Sequence, residues 1–325
     1  MTHAMRALII GGSGQDGVLI SAQLLSLGHE VIAVSRTASP LADVDQRSLD
    51  ATDSAAIDAL VAEVIPDQVF YLAAHHRSSE AVNPPLDADI SKNLQVNAVA
   101  FASLLESLTR HASSARTLYA SSCRVFGEGD GSLLNETAVK EPICPYGISK
   151  LAGMQIADVF RRDKGLFVSS AVLFNHESEL RPATFLSKKL ASAALEAREN
   201  SSAKVEVGCL DDMADWGAAR DYATAMRSIL EAQRPEQFIV ATGELRSVRE
   251  FADACFRTVG LDWQNHVVAG RSNINRRWRL RGDASRLTAA TGWRPQWTFD
   301  EMVKDLLNRT EKYGRQRPTS FHAYL

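Results

Sequence analysis

The sequence predicts an α/β protein built on a doubly wound parallel sheet, and three observations support this class. Short apolar runs alternate with longer segments of helical periodicity through residues 7–174. A glycine-rich turn at 11–17 separates an apolar strand from such a helix. The chain has 325 residues, more than one nucleotide-binding domain needs, so a second and smaller lobe is expected. This alternation is typical of parallel sheets that carry helices on both faces.

The glycine-rich turn predicts a dinucleotide site. It lies between a strand predicted at 7–10 and a helix predicted at 18–27. Gly11 would permit a tight turn, Gly14 would let the backbone approach a pyrophosphate, and Gly17 would pack the helix against the strand. Because a helix N-terminus favours negative charge, the pattern indicates a Rossmann domain with phosphates at this turn.

The end of the second strand indicates which dinucleotide binds. The strand predicted at 31–35 is followed by Arg36, and no acidic residue comes before Asp43. An acidic residue at this place is typical of NAD sites, whereas arginine suits the 2′-phosphate of NADP. NADP(H) is therefore the predicted cofactor.

The remaining elements follow the same alternation and then become irregular. A third strand is predicted to end at 48–50, followed by helices at 55–64, 89–110 and 146–163 and strands at 68–74, 117–121 and 166–174. Beyond Asn175, helices are predicted at 184–199, 217–232, 247–259 and from about 300, with strands at 205–208 and 238–242. We assign residues 1–175 and about 212–243 to the NADP-binding domain, and about 176–211 and 244–325 to a discontinuous α/β substrate lobe.

Composition excludes several classes of protein. A net charge of −3 argues against nucleic-acid binding, because no excess of basic residues is available to neutralise phosphates. No apolar run approaches a membrane span, and the first five residues do not resemble a signal peptide. The four cysteines are scattered without a C-x-x-C pair, which fits reduced thiols in a cytoplasmic protein and predicts no metal site.

A catalytic group is predicted at the carboxyl ends of the later strands, where ligands bind in such sheets. Tyr146 and Lys150 are four residues apart and share one face of a helix, and Ser122 ends the strand before it. A hydride moving to or from a carbonyl carbon requires a proton at the oxygen. A tyrosine supplies it well when a neighbouring ammonium lowers its pKa, and Ser122 could hold the same oxygen.

With these motifs the chain resembles the extended short-chain dehydrogenase/reductases, and among them the GDP-mannose 4,6-dehydratase group and its neighbouring GDP-sugar 4-keto reductases. The resemblance covers nearly the whole chain and is carried by Gly-Gln-Asp-Gly at 14–17, Pro-Tyr-Gly-Ile-Ser-Lys at 145–150, Leu-Phe-Asn-His-Glu-Ser at 173–178 and Arg-Asp-Tyr at 220–222. It implies a homodimer or higher homo-oligomer, with the helices at 89–110 and 146–163 as candidates for the interface.

The resemblance also implies site residues. Gln15, Asp16, Leu72, Ala73, Ala74, Tyr146 and Lys150 would join the turn glycines around the cofactor, with Asp50 at the adenine. Asn175, Lys189, Arg220 and Arg276 would meet the sugar or its diphosphate.

One position departs from the dehydratases. By the resemblance, the residue two after the Ser/Thr is their glutamate base, which removes the C5 proton before water leaves C6. In this chain Ser122 takes the Ser/Thr position, Cys123 follows, and Arg124 takes the glutamate's position. A guanidinium stays protonated in proteins and cannot act as that base. Cys123 and Arg124 are thus accessory residues without an assigned role.

The groups that remain are those that carbonyl reduction needs. The predicted function is NADPH-dependent reduction of the 4-keto group of a nucleoside-diphosphate deoxy sugar, with GDP as the expected nucleotide, in surface polysaccharide biosynthesis. Three alternatives stay open: a 4,6-dehydratase in which His75, His76 or Cys123 replaces the glutamate, a nucleotide-sugar 4-epimerase, and a cofactor-binding regulatory protein without turnover.

Overall fold

The computed structural model describes residues 4–76, 85–270, 278–314 and 316–325. Its strands are β1 (Arg6–Ile10), β2 (Glu30–Ser35), β3 (Asp45–Ser48), β4 (Gln68–Tyr71), β5 (Arg116–Ser122), β6 (Gly129–Leu134), β7 (Val168–Leu173), β8 (Asn175–Glu177), β9 (Val205–Val207), β10 (Met213–Ala218), β11 (Gln237–Val240), β12 (Leu245–Ser247), β13 (Val267–Ala269) and β14 (Trp278–Gly282). Its helices are α1 (Gln15–Ser26), α2 (Ser54–Val64), α3 (Leu86–Leu94), α4 (Ala100–His111), α5 (Pro145–Lys164), α6 (Leu186–Glu199), α7 (Ala219–Glu231), α8 (Val248–Thr258), α9 (Ser285–Thr291) and α10 (Phe299–Tyr313). A π-helical turn at Gln95–Val99 joins α3 to α4.

The central sheet confirms the predicted fold class. Seven parallel strands pair in the order β3-β2-β1-β4-β5-β7-β11. Except for the polar edge strand β3, the strands are short and mostly apolar, and every residue of β4 and β7 is buried, as expected when helices cover both faces. The strand order reverses between β1 and β4, so the carboxyl ends of these two strands open the crevice in which such sheets bind ligands.

Two hydrophobic clusters organise the molecule. The larger surrounds the central sheet and also takes in Leu287, Trp293 and Tyr324 from the C-terminal part of the chain. The second is formed by α6, α8 and α10 with residues of β9, β10 and β13. α8 begins with an S-x-x-E capping box, in which Ser247 accepts from the amide of Glu250 and the Glu250 carboxylate accepts from that of Ser247. The domain boundaries assigned from the sequence stay a prediction.

The structure differs from the element predictions at several places, of which two matter for the topology. Residues 217–218 end β10, so the helix predicted at 217–232 begins only at Ala219. The segment Gly129–Leu134, for which no element was predicted, forms β6 and pairs in parallel with β14. Its sequence, Gly-Asp-Gly-Ser-Leu-Leu, has a low intrinsic preference for strands, so the pairing with distant β14 determines its conformation.

Candidate active site

The glycine turn after β1 has the shape that a phosphate-binding turn needs. Gly11 has a φ of +99°, and a Cβ on it would lie 2.6 Å from the amide nitrogen of Ala73. A Cβ on Gly17 would lie 2.5 Å from the carbonyl oxygen of Gly11, so α1 contacts the turn through backbone alone. A Cβ on Gly14 would have only the Gly11 oxygen nearby, at 3.3 Å. No side chain caps the N-terminus of α1. The first-turn amides are therefore free of an internal cap, and the turn fits a pyrophosphate.

The other residues expected around the cofactor lie at the same edge of the sheet. Leu72 and Ala73 follow β4 and both donate their amides to the carbonyl of Ile10, at 2.8 Å, with Ala74 next in the chain. Arg36 directly follows β2 and is exposed. Asp50 follows β3, where hydrogen bonds from the amide and hydroxyl of Thr52, followed by the charge of Arg36, lower its pKa.

Gln15 and Asp16 use their side chains for contacts within the protein. Gln15 is buried and bonds to the backbone carbonyl of His176 and the hydroxyl of Ser178, and Asp16 bonds to the His176 ring. These bonds join the Gly-Gln-Asp-Gly turn to the His-Glu-Ser segment far along the chain.

The predicted catalytic side chains meet at the carboxyl end of β5. Ser122 is its last residue, and its hydroxyl lies near enough to Tyr146, on the first turn of α5, to lower the pKa of that tyrosine. Lys150 lies one turn further on, is 1% exposed, and donates to the carbonyl of Ala120 at 2.8 Å. Its ammonium lies 5.7 Å from the centre of the Tyr146 ring and 5.0 Å from that of Tyr119.

The electrostatics of this pair differ from the expectation. Burial raises the pKa of Tyr146 well above 10, with Cys123 adding to the rise, while Arg181 and the Ser122 hydrogen bond lower it by less. Burial also lowers the pKa of Lys150 to about 7, against which Asp16 acts. Desolvation therefore dominates the pKa of Tyr146 within the protein, and its lowering by a neighbouring ammonium stays a prediction.

Asn97, which the sequence analysis missed, supports the catalytic helix. Its side-chain amide donates to the hydroxyl of Ser149 at 2.9 Å, and Ser149 in turn donates to the carbonyl of Tyr146. Its side-chain oxygen accepts from the amide of His75 at 3.0 Å, and its backbone carbonyl accepts from Tyr119. Asn97 lies in the π-helical turn, a geometry often found at functional sites, and no short-range sequence pattern marks it.

Cys123 and Arg124 follow Ser122 into the cleft. The Cys123 thiol is buried, which raises its pKa to about 11, so it is a thiol and not a thiolate at neutral pH. Arg124 is half-buried and, with Cys123 and Asn175, lines a small pocket of about 20 Å³.

Aromatic side chains pack on one side of Tyr146. The ring of His76 lies 4.5 Å from the Tyr146 ring and 5.5 Å from that of Phe185, and the Arg181 guanidinium lies 4.9 Å above Phe185. His76 is exposed by surface area, while its ring packs against these aromatic side chains. Desolvation, followed by the charges of Arg181 and Arg124, lowers its pKa to about 3, so the ring is neutral. Phe185 and Arg181 were not predicted, because only the tertiary fold brings them beside Tyr146.

The residues expected to bind substrate are placed unequally. Asn175 begins β8 beside Cys123 and Arg124, and Lys189 lies on the first turn of α6. Arg220 is 8% exposed, and its guanidinium forms ion pairs of 2.9 Å with Glu179 and Asp305. These pairs engage two of the guanidinium nitrogens, and the expected contact of Arg220 with substrate stays a prediction. Arg276 lies outside the described residues.

Three further features of the described residues complete the picture. A wide cleft of about 1170 Å³ lies beside α8 and the start of α10, and none of the predicted site residues that the structure describes lines it. Among the described ranges, no three histidine, cysteine or acidic side chains are arranged to hold a metal ion. Within the same ranges no helix has both the length and the apolar character needed to cross a bilayer.

The dinucleotide turn and the Tyr-x-x-x-Lys helix at one edge of a doubly wound sheet define an NAD(P)-dependent enzyme of the nucleotide-sugar dehydratase and epimerase class. The chain belongs to the GDP-mannose 4,6-dehydratase family, whose profile matches residues 8–306. GDP-mannose 4,6 dehydratase 2 of Arabidopsis thaliana is 31% identical over 331 residues, covering 93% of this chain and 86% of its own. The Homo sapiens GDP-mannose 4,6 dehydratase is 29% identical, covering 97% and 93%.

Solved structures show the same fold. A UDP-glucose 4-epimerase of Thermotoga maritima, solved with UDP-glucose, has a TM-score of 0.85 at 19% identity and covers 95% of this chain and 99% of its own. RMD of Pseudomonas aeruginosa, solved with NADPH, has a TM-score of 0.81 at 24% identity, with the same coverage.

Proposed function

We propose that the protein reduces the 4-keto group of a GDP-linked deoxy sugar with NADPH, in surface polysaccharide biosynthesis. The observation that carries this proposal is the composition of the cleft. Ser122, Tyr146 and Lys150 are together, while Arg124 stands where the resemblance implies the glutamate base of a dehydratase. Its neighbour Cys123 is a buried thiol whose raised pKa makes it a poor base. The cleft thus contains the groups for proton transfer at a carbonyl oxygen, whereas Arg124 replaces the glutamate that elimination would use.

The protonation state of Tyr146 favours the reductive direction. A reductase needs this hydroxyl as an acid, whereas oxidation of an alcohol needs it as a base. Burial holds its pKa above 10, so the hydroxyl keeps its proton at neutral pH and can donate it to the C4 oxygen of a keto sugar. Ser122 would hydrogen-bond the same oxygen, and Lys150 would stabilise the negative charge left on Tyr146.

NADPH, when bound, would supply the hydride. The Gly11–Gly17 turn and the uncapped start of α1 would hold its pyrophosphate, and Arg36 its 2′-phosphate. Asp50 and the backbone of 72–74 would line the adenosine side. Asn175 and Lys189 would contact the substrate, with Arg276 adding to the diphosphate site.

The experiment that tests this function is transfer of a label. NADPH carrying deuterium on the transferred position is mixed with a GDP-4-keto-6-deoxyhexose, and the product is analysed by mass and by NMR. We expect one deuterium at C4 of the sugar, and a loss of at least a hundredfold in rate for Tyr146→Phe, because the proton donor is removed. Tyr313→Phe, a change on α10, is the matched control. Absence of deuterium from C4 would contradict reduction.

A dehydratase is the second candidate, and His76 is the observation that favours it. The imidazole is neutral and lies against Tyr146, so it could accept a proton from the sugar. This candidate predicts that His76→Gln abolishes release of water from GDP-mannose. The proposed reductase predicts that wild type releases none.

We also propose a homo-oligomer in the cytoplasm. Val99 beside α4 and Ile148 and Val159 on α5 are apolar and exposed, on the helices expected to form the interface. All four cysteines are free thiols, as in a reducing compartment.

A further inference from the structure

Four buried or half-buried side chains connect the cofactor turn to β8. The Gln15 amide donates to the carbonyl of His176 at 3.1 Å, and the Ser178 hydroxyl donates to the Gln15 oxygen at 2.7 Å. Nε2 of His176 lies 3.0 and 3.2 Å from the two carboxylate oxygens of Asp16. His176 is 6% exposed and Gln15 is 9% exposed, so water does not replace these bonds easily.

The partners of the His176 ring fix its charge. Nδ1 lies 2.7 Å from the backbone carbonyl of Phe174, which can only accept a hydrogen bond. Nε2 faces the Asp16 carboxylate, which also accepts only, provided that it is ionised. A neutral imidazole has a single N–H and could satisfy one of these two partners. Both bonds together require a proton on each ring nitrogen, that is, an imidazolium.

The surroundings of Asp16 favour the ionised carboxylate that this geometry requires. Burial by itself would raise its pKa, but attraction to His176, the hydrogen bond between them and the charge of Arg181 outweigh that effect and lower the pKa to about 2. A carboxylate and an imidazolium therefore form a buried ion pair, in which each charge is compensated by a direct hydrogen bond.

The position of the pair gives it a function. Asp16 lies in the first turn of α1, where the helix N-terminus would face the cofactor phosphates, and an uncompensated carboxylate there would repel them. We propose that His176 is a positioning residue that acts as a buried imidazolium, cancelling the charge of Asp16 and fixing the dinucleotide turn to the strand that begins at Asn175. The positioning part rests on the proposed function, because it supposes a dinucleotide at the turn; the charge of His176 does not.

The groups around His176 agree with this charge. Tyr222 of α7 stacks on the ring, with centroids 4.7 Å apart, a contact that suits a cation over an aromatic face. On the cleft side, Arg181 donates to the His176 carbonyl and pairs with Glu177, and His76 is neutral. Asp16 is thus the only ionised carboxylate among the described groups that bonds the ring itself.

The first test reads the charge directly in the free wild-type protein. Nitrogen-15 NMR of the imidazole side chains at neutral pH distinguishes an imidazolium from either neutral tautomer. We expect both nitrogens of His176 in the imidazolium range, assigned by the loss of the signal in His176→Gln. A neutral tautomer for His176 would overturn the proposal.

The second test measures the coupling to the cofactor site. Binding of NADP(H) alone is titrated for wild type, His176→Gln, Asp16→Asn and the double variant, with the buried His266→Gln as matched control. We expect His176→Gln to weaken binding about tenfold, because it leaves Asp16 uncompensated, and the double variant to regain most of this loss. Equal affinity in all variants, or additive losses, would overturn the positioning role. If wild type binds no dinucleotide, the proposed function and the positioning role fail together, while the NMR result still decides the charge of His176.

Discussion

At the scale of single residues, burial determines the charges in the cleft. Lys150 is almost completely enclosed, its ammonium has one backbone acceptor, and desolvation brings its pKa down to about 7. Tyr146 is half-buried, and desolvation raises its pKa and holds it in the protonated form. A bound dinucleotide and substrate would enter a site with a neutral tyrosine and a lysine that titrates near neutral pH.

The low pKa of Lys150 predicts a pH dependence of stability. Between pH 7 and 10 the unfolded chain binds more protons at this residue than the folded chain, because the ordinary pKa of lysine is 10.5, so the free energy of unfolding should rise with pH. The contribution of one such group reaches at most about 1.4 kcal/mol per pH unit. Lys150→Met should lose this rise, whereas the exposed Lys304→Met on α10 should keep it. Urea unfolding at pH 7, 8 and 9 measures the difference, and parallel profiles for all three proteins would contradict the assignment.

Arg36 carries the prediction about the cofactor. Its exposed guanidinium directly follows β2, where it would bind the 2′-phosphate as a charged, planar donor. Arg36→Ala should weaken NADP(H) binding about tenfold and change NAD(H) binding less than twofold. Fluorescence titration of both dinucleotides measures the ratio, with exposed Arg234→Ala as control. An equal loss for both dinucleotides would remove the basis for preferring NADP(H).

The residues that sequence could identify are those joined by short spacing. Tyr146 and Lys150 are one helical turn apart, and Ser122 ends a strand whose apolar character is plain, so local pattern suffices to propose the group. His76 was named without an assigned role, and Phe185 and Arg181 were not named, because their contacts join parts of the chain far apart in sequence. Arg220 was expected at the substrate, and its ion pairs with Glu179 and Asp305, which form only in the folded chain, were not predicted.

At the scale of elements, the turn between β1 and α1 depends on backbone contacts. A Cβ on Gly17 would lie 2.5 Å from the Gly11 oxygen and 2.7 Å from the Gly12 Cα, and neither backbone atom can move without displacing the turn. Gly208 has no atom within 4 Å of such a Cβ and is not in the left-handed region.

These contacts predict that the same glycine-to-alanine substitution has different effects at the two positions. Gly17→Ala should lower the free energy of unfolding by about 2 kcal/mol and weaken dinucleotide binding, because the helix must shift away from the turn. Gly208→Ala should change stability by less than about 0.5 kcal/mol. Denaturant unfolding and dinucleotide titration measure both effects. Identical stability of the two variants would mean that α1 does not pack on the turn as described.

Elements with a clear hydrophobic period in the sequence were predictable, whereas strands formed by pairing between distant segments were not. Most strands of the central sheet are short apolar runs, and the capping box of α8 marks its start in the sequence. The local sequence therefore favours each of these elements. β6 has two glycines and an aspartate, and its partner β14 is far away in the chain. Its strand conformation comes from tertiary pairing, which overrides a weak local preference.

At the scale of the whole molecule, the sheet order explains why separate motifs form one site. The reversal between β1 and β4 opens the crevice where the glycine turn and the 72–74 segment meet, and β5 and β7 bring Ser122 and Asn175 to the same edge. The fold class follows from the alternation of elements, while the strand order and the contact between the turn and β8 required the structure. The family indicates an NAD(P)-dependent enzyme of nucleotide sugars, and the proposal of a reductase rests on the contents of the cleft.

The central claim is that this cleft reduces a keto sugar and does not remove water from GDP-mannose. The most direct measurement is a paired assay with one preparation of purified protein. One arm contains GDP-mannose and NADP⁺ and is followed by mass for loss of water; the other contains the GDP-4-keto-6-deoxy sugar and NADPH and is followed by absorbance of the reduced cofactor. We predict consumption of NADPH in the second arm and no loss of water in the first. Loss of water in the first arm would contradict the claim and would make His76 the first residue to substitute.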